Sequence, residues 1–427
     1  MDFKPEDLAD LEEATLEIAK KKIVPSIILD SEGKPLMRMG TGGRFDNFFF
    51  WDTAFTAIWG RYFSMSLPIE NSLDNLYAAR TEDGFISREY NSIGEPIWKH
   101  NHPIAFAPPL LTWAELSLFE LTSDISRLKK VFPYLKAHHD FCTEQYQASD
   151  GLFIGDALGS GMDNLKRYPN SWEFDNDGIE LKLEWVHSMY RPHMDKLGPS
   201  HQFTWNSQGR WIDLSSQMAF DARCLSAMAK LINLEEESEH YRKKHHKLAE
   251  IINDLCWNEE HQFYFDLGYG KQIIRFHIGS YWALLAGIVP KSRQEGFISH
   301  LSDTKMFDTP VPVPSLSVSD PDFSSDGRYW RGSSWHPTTY MIIKGLEENG
   351  FTEKAKEISV RCVKANIILF KKTKTFWENL SPLKAEPGNP SQPDFCGWAG
   401  LSLSLIHISE PTRPERIAGG GVGVEKK

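Results

Sequence analysis

The 427-residue chain has no run of about 18 apolar residues, the length a membrane-spanning helix needs, so no membrane partner is expected. Its start, Met1-Asp2-Phe3-Lys4-Pro5-Glu6-Asp7, is charged and has no apolar core of the kind a secretory signal carries. Cysteine is scarce. Cys142, Cys224, Cys256, Cys362 and Cys396 are scattered, odd in number and without a Cys-x-x-Cys pair. That spacing suits neither a zinc site nor a disulfide framework, and reads as buried thiols in a reducing compartment. A cytoplasmic location is therefore the expectation. The 15 histidines include no His-Glu-x-x-His, and the adjacent pairs His138-His139 and His245-His246 face different ways on a helix. Positive charge is in deficit. A formal net charge of −11 argues against a nucleic-acid backbone as ligand. No metal, cofactor or nucleic acid is expected; a neutral or polar small molecule is.

Aromatic residues are abundant, at 12% with 14 Trp and 26 Phe, which supplies a large core and excludes low-complexity disorder. Apolar spacing is helical over most of the chain. Residues 109–147 hold two helices broken at Thr122-Ser123-Asp124, the second running over 125–142 with Leu128, Val131, Phe132 and Leu135 on one face. The plan recurs at 215–232 with 234–255, at 276–288 with 291–301, and at 335–348 with 352–371. In each copy the first helix is nearly all apolar and the second is amphipathic and charged, so the first is inner and the second outer. With helices at 7–22 and 52–63, roughly ten to twelve are predicted. Repeated hairpins make either a closed α/α toroid or an open solenoid. Unequal repeat lengths and unlike aromatic loops favour the ring. Strands are predicted only as short pieces at 263–266 and 311–314.

The predicted domain covers residues 1–403. From Ser404 the chain loses its helical period and ends in Gly-rich sequence, interrupting what reads as the start of another inner helix at 397–403. Residues 404–427 are expected to be a non-native read-through tail on a truncated chain, packing poorly, with Pro411 and Pro414 blocking a helix.

The loops between hairpins are long and aromatic: 43–51, 83–102, 155–172, 205–213, 329–335 and 375–382. Loops loaded with Trp, Phe, Tyr and isolated carboxylates line pockets. In Gly159-Ser160-Gly161-Met162-Asp163-Asn164, Asp163 is a candidate cavity carboxylate, and equally an Asx-turn or N-cap residue. Glu378, in Phe376-Trp377-Glu378-Asn379, is a second, and equally a surface residue near a helix end. The run Phe48-Phe49-Phe50-Trp51-Asp52 offers what sugar binding needs, stacking faces beside an acceptor, and also suits a core cluster with Asp52 as N-cap. Tyr329-Trp330-Arg331-Gly332 with Trp335 follows the same logic.

Taken in order, Gly42-Gly43-Arg44-Phe45 with Trp51-Asp52-Thr53, Ser160-Gly161-Met162-Asp163-Asn164, Asp213-Leu214-Ser215-Ser216-Gln217, Tyr329-Trp330-Arg331-Gly332 and Trp377-Glu378-Asn379 resemble the inverting α-glycosidases of the trehalase-like clan. The resemblance is to glycoside hydrolase family 63, with its processing α-glucosidases and mannosylglycerate and glucosylglycerate hydrolases, and covers roughly residues 40–402. It implies an (α/α)6 barrel, Asp163 as general acid and Glu378 as general base. Trp51 and Asp52 map to contacts with the −1 sugar, and Tyr329, Trp330 and Arg331 to the pocket border. Arg88, Gly161 and Trp335 complete the expected substrate-binding set, with Arg88, Lys99 or Arg331 able to pair with a carboxylated aglycone. Two departures bear on substrate: Leu165-Lys166 stands where many relatives have Ser and Pro, and Leu380 where Tyr is usual.

The implied reaction is inverting, exo-acting hydrolysis of a terminal α-linked glucose or mannose from a small glycoside, with no cofactor. Inversion requires the two carboxyls roughly 6.5–9.5 Å apart, one protonated and one ionised. Two other classes stay open. A toroid epimerase would use paired histidines, for which His102, His277 and His336 are available. A non-catalytic carbohydrate-binding helical repeat protein would keep the aromatics without needing both carboxylates.

Overall fold

The computed structural model describes residues 4–43, 45–98, 106–154, 159–165, 167 and 209–409. Helix α1 (Pro5–Lys20) leads into a hairpin of β1 (Ile23–Leu29) and β2 (Pro35–Met39), then short β3 (Phe48–Phe49) and α2 (Phe50–Gly60). Next come α3 (Ile69–Ala78), β4 (Glu89–Tyr90), α4 (Leu111–Thr122) and α5 (Ile125–Tyr146). Strand β5 (Gly209–Arg210) precedes α6 (Ile212–Leu231) and α7 (Glu235–Leu255). Four short strands follow: β6 (Trp257–Asn258), β7 (Phe263–Tyr264), β8 (Asp266–Gly268) and β9 (Lys271–Ile273). The chain then builds α8 (Trp282–Leu285), α9 (Lys291–Ser299), α10 (His336–Glu348), α11 (Thr352–Thr373) and α12 (Leu401–Ser409).

Inner and outer helices separate as their compositions require. All of α2 is buried, while α7 buries only one stripe, from Ser238 through Tyr241, His245 and Leu248 to Ile252. The α4–α5 break is a left-handed Ser123 at φ 53° followed by Asp124, whose carboxylate accepts from the Ser126 and Arg127 amides and caps α5. Helix α2 packs on α4, α4 on α6, α6 on α8, α8 on α10, α10 on α12, and α12 again on α2. The ring therefore closes, and the fold is a helical toroid rather than an open solenoid. Helices α3, α5, α7 and α11 pack outside α2, α4, α6 and α12, and α1 lies against α11 and α12.

Five inner helices each send one aromatic to the centre: Phe55, Trp113, Phe220, Trp282 and Tyr340. Trp113 stacks on Tyr340 at 5.6 Å and meets Phe55, Phe220 and Trp282 edge-on. Residues 45–49, 209–211 and 329–335 lead directly into the inner helices α2, α6 and α10, and the described parts of the aromatic loops bond to one another. Strand β3 pairs with β4, Gly43 N–H donates to the Asp394 carbonyl, and Trp51 lies against Trp330 and Trp398.

Several elements depart from the sequence expectation. The β1–β2 hairpin has no counterpart in it, nor does α3, which docks on the hairpin: Asn75 Oδ1 accepts from Ser26 Oγ and the Ile27 amide, and Ser72 Oγ accepts from the Met39 amide. The helix expected over 276–288 is shorter, a 3₁₀ turn at Ile278–Tyr281 continued by α8. Within residues 311–314 only Pro314 makes an isolated bridge, to Ser334, and no strand forms. Helix α12 runs past residue 403. Leu401 and Leu405, four apart, share a buried face, and the Leu405 carbonyl accepts from Ser359 Oγ. Packed structure thus extends beyond the boundary read from sequence, and residues 410–427 lie outside the described residues. All five cysteines are free and buried. Among the described residues no helix is long and apolar enough to cross a membrane.

Candidate active site

The site forms where the loops enter the inner helices. The first turn of α2 carries Trp51 and Asp52, both buried. Asp52 is not an N-cap; Phe49 holds that position, and Asp52 sits inside the helix. Its carboxyl is pushed well above the usual carboxylate range, chiefly by burial and then by Glu378, with Asp163 adding to the effect and Arg88 opposing it.

The loop at 159–165 seats Asp163. Gly161 has φ +75°, and a Cβ there would come within 2.6 Å of the Trp51 ring, so the loop rests directly on the indole face. Ser160 Oγ accepts the Met162 amide, and the Leu165 amide bonds the Met162 carbonyl, closing a tight turn around Asp163. Burial pushes the Asp163 carboxyl up to about 7; Arg88 opposes the rise and Glu89 adds to it.

Glu378 is buried and held on several sides. Its amide donates to the Gln392 carbonyl at 2.9 Å, and the Gln392 amide donates to Oε2 at 3.2 Å. Tyr329 Oη donates to Oε1 at 2.8 Å, and the Trp398 indole N–H donates to the Glu378 carbonyl at 2.7 Å. Donors on both carboxylate oxygens favour the ionised form. The Tyr329 hydroxyl is itself pushed well up by burial, with Glu378, Asp163 and Asp52 contributing. Three carboxyls thus share one electrostatic neighbourhood, with Arg88 as the cation acting on Asp52 and Asp163. Arg88 Nη1 is buried and has no hydrogen-bond partner among the described residues, a donor free for a ligand.

Trp330 and Trp335 stack face to face at 3.9 Å, and Tyr329 meets Trp335 edge-on at 4.9 Å. This stack stands behind Trp51, 6.1 Å from Trp330, and forms an apolar wall. The structure therefore brings together Asp163, Glu378, Asp52, Arg88, Trp51, Gly161, Tyr329, Trp330 and Trp335. The Arg331 guanidinium binds the carbonyl and carboxylate of Asp322, which also pairs with Arg275. Lys99, Arg44 and His102 lie outside the described residues.

The remaining histidines have structural partners. His277 bonds Asp266, and His336 bonds Asn366 with burial pushing it down to about 4. In both rings the other nitrogen, Nδ1, is buried without a hydrogen-bond partner among the described residues. Among the described residues no cluster of three or more His, Cys, Asp or Glu is placed to hold a metal ion.

Sequence reasoning passes over Glu89, Arg167, Gln392 and Trp398. Glu89 accepts from Asn47 and the Trp98 indole. Arg167 is buried between Asp213 and Asp266 against the Trp211 ring. A charged residue isolated in an aromatic loop, as in Arg88-Glu89-Tyr90, is the signal that marks Glu89.

A family model described as the mannosylglycerate hydrolase MGH1-like glycoside hydrolase domain matches residues 46–399. The chain is 28% identical over 333 residues to an uncharacterized protein of Borreliella burgdorferi, covering 77% of this chain and 61% of that one. It is 25% identical over 212 residues to a probable mannosyl-oligosaccharide glucosidase of Schizosaccharomyces pombe, covering 46% of this chain and 26% of that one. It spans less than two thirds of the length of these curated relatives. The crystal structure of a family 63 mannosylglycerate hydrolase from Thermus thermophilus in complex with glucose shares its fold, with TM-score 0.71 and 18% identity, covering 92% of this chain and 99% of that one.

Proposed function

The chain belongs to the mannosylglycerate hydrolase MGH1-like glycoside hydrolases, and from that premise we propose that it is an inverting, exo-acting α-glycosidase built on an (α/α)6 barrel. The observation that carries the reading is the split between two carboxyls of one site. Burial keeps Asp163 protonated up to about pH 7, while two hydrogen-bond donors hold Glu378 ready to accept a proton. Asp163 donates its proton to the glycosidic oxygen as the bond to the anomeric carbon breaks. Glu378 takes a proton from water as that water attacks the opposite face, so an α-linked substrate yields the β-anomer first. Asp52 accepts hydroxyl hydrogen bonds of the terminal sugar, and Trp51 packs on its ring, backed by the Trp330–Trp335 stack.

The substrate is a small α-mannoside or α-glucoside. Arg88, with its free Nη1, suits an aglycone carrying a carboxylate, such as glycerate. The reaction fits a cytoplasmic enzyme that meets small soluble glycosides. The experiment is a panel of mannosylglycerate, glucosylglycerate, trehalose and gluco-oligosaccharides, with the first-formed anomer read by proton NMR. Release of β-glucose or β-mannose from one of the small glycosides is expected. First release of the α-anomer, or no hydrolysis across the panel, would overturn the proposal.

A further inference from the structure

Asn164 follows the proposed acid in sequence, yet its amide is committed to a different loop. Its Nδ2 donates to the Arg328 carbonyl at 3.0 Å, and its Oδ1 accepts the Trp330 N–H at 2.8 Å. The residue bracketed by these two bonds is Tyr329. Its backbone lies at φ +63°, beside Arg328 at φ +33°, a region that costs a side-chain-bearing residue of order 1–3 kcal/mol and persists only where neighbours over-determine it. The Tyr329 amide adds one restraint by donating to the Asn389 carbonyl at 3.2 Å. Held this way, the phenol reaches Glu378 Oε1 at 2.8 Å.

We infer that Asn164 is a positioning residue for Glu378: its side-chain amide locks the 328–330 backbone so that the Tyr329 hydroxyl is aimed at the Glu378 carboxylate. The inference rests on the proposed role of Glu378. It means that the Asp163-Asn164 pair sets both ends of the reaction. One residue carries the acid, and the next fixes the geometry of the base across the pocket.

A neutral hydroxyl donating to a carboxylate favours its ionised form, so losing that bond raises the pH at which Glu378 becomes competent. Among the described residues, the charged and titratable groups that face Glu378 include Tyr329 from the 329–335 loop and Asp52 from α2, with Asp163 from the acid loop acting on both and Arg88 acting on Asp52 and Asp163. Removing Asn164 leaves all of these in place and changes only how the phenol is held.

The test is a double-mutant cycle on the full chain: wild type, Asn164→Leu, Tyr329→Phe and both together, with mannosylglycerate and glucosylglycerate as probes. Each single variant is expected to lower kcat about tenfold, leave KM within about threefold and move the acid limb of the kcat/KM profile up by about one pH unit. The double variant is expected to do no more than either alone. A crystal structure of Asn164→Leu should show Tyr329 out of the left-handed region and its contact with Glu378 broken. Should Asn164→Leu fail to fold, Asn164→Ser removes both side-chain amide bonds without adding a charge beside Asp163, and is expected to give a shift of the same sign. An unmoved acid limb, additive effects in the double variant, or an intact Tyr329–Glu378 contact would overturn the inference. Full activity of Glu378→Gln would instead overturn the proposed function, while leaving the Asn164 geometry to be read from the crystal structure.

Discussion

Replacing Asp163 with Asn should cost the protein its reaction and stabilise its fold, and the stability gain should depend on pH. The unfolded chain ionises this carboxyl near 3.8, whereas burial in the folded state pushes it to about 7. Between those pH values the folded protein binds more protons than the unfolded chain, so wild-type stability falls as pH rises, and the loss is complete above about pH 7. Asn has no proton to lose. At about 1.4 kcal/mol per pH unit, a rise from 3.8 to about 7 corresponds to about 4 kcal/mol for a wholly enclosed carboxyl. Asp163 keeps part of its surface in solvent, which reduces this to about 2 kcal/mol. Urea unfolding of wild type and Asp163→Asn at pH 5 and pH 8 measures the effect. The variant is expected to be the more stable at both, with the gap widening toward pH 8. Asp52 titrates in both proteins, and losing the Asp163 charge also lessens the upward push on Asp52, which widens the gap in the same direction. A gap that is equal at the two pH values, or a variant less stable at pH 8, would refute the account of Asp163 as a carboxyl held protonated by its site.

Glu378→Gln should retain the fold and lose about 10²–10⁴ in kcat, the usual worth of a general base, in a turnover assay beside a circular dichroism spectrum; activity within tenfold of wild type counts against the role. Gly161→Ala should lower stability by about 1–3 kcal/mol and depress kcat, because the new methyl meets the Trp51 ring in a left-handed conformation; an unchanged thermal midpoint would show that the loop has room. A chain ending after Ser409 should melt with the full-length chain, since the Gly- and Pro-containing sequence beyond has no helical period. One ending after Leu403 should melt several degrees lower, having lost the fully buried Leu405, worth about 1.5–3 kcal/mol. Equal midpoints for the two truncations would count against the packed extension of α12.

The inner and outer helices are legible because burial on all sides and burial on one face leave different residue patterns. Helix α2, which reads Phe-Trp-Asp-Thr-Ala-Phe-Thr-Ala-Ile-Trp-Gly, has no face to give to water, and α7 has little but charge outside one stripe. The β1–β2 hairpin is not legible, because what holds it is remote: its edge groups are satisfied by Asn75 and Ser72 of α3, and neither residue announces that role locally. The same distinction divides the site. Asp163 and Glu378 stand out as lone carboxylates among aromatic and small residues, a local signature. Arg331 sits in an equally aromatic loop, and its commitment to Asp322 depends on a fold-back that no local pattern encodes.

What tunes the two carboxyls is non-local throughout. The donors on Glu378 come from Tyr329 and from the backbone of Gln392, and Trp398 fixes its carbonyl. The indole of Trp398 reads in sequence as one more apolar residue before an inner helix, and a backbone amide has no sequence signature at all. A motif can therefore locate an acid and a base in such a chain, but the protonation states that make them an acid and a base arise from closing the ring. In an open superhelix α2 and α12 would part, taking Asp52 away from Glu378 and Trp51 away from Trp398, and with them the enclosure that both Asp163 and Glu378 share.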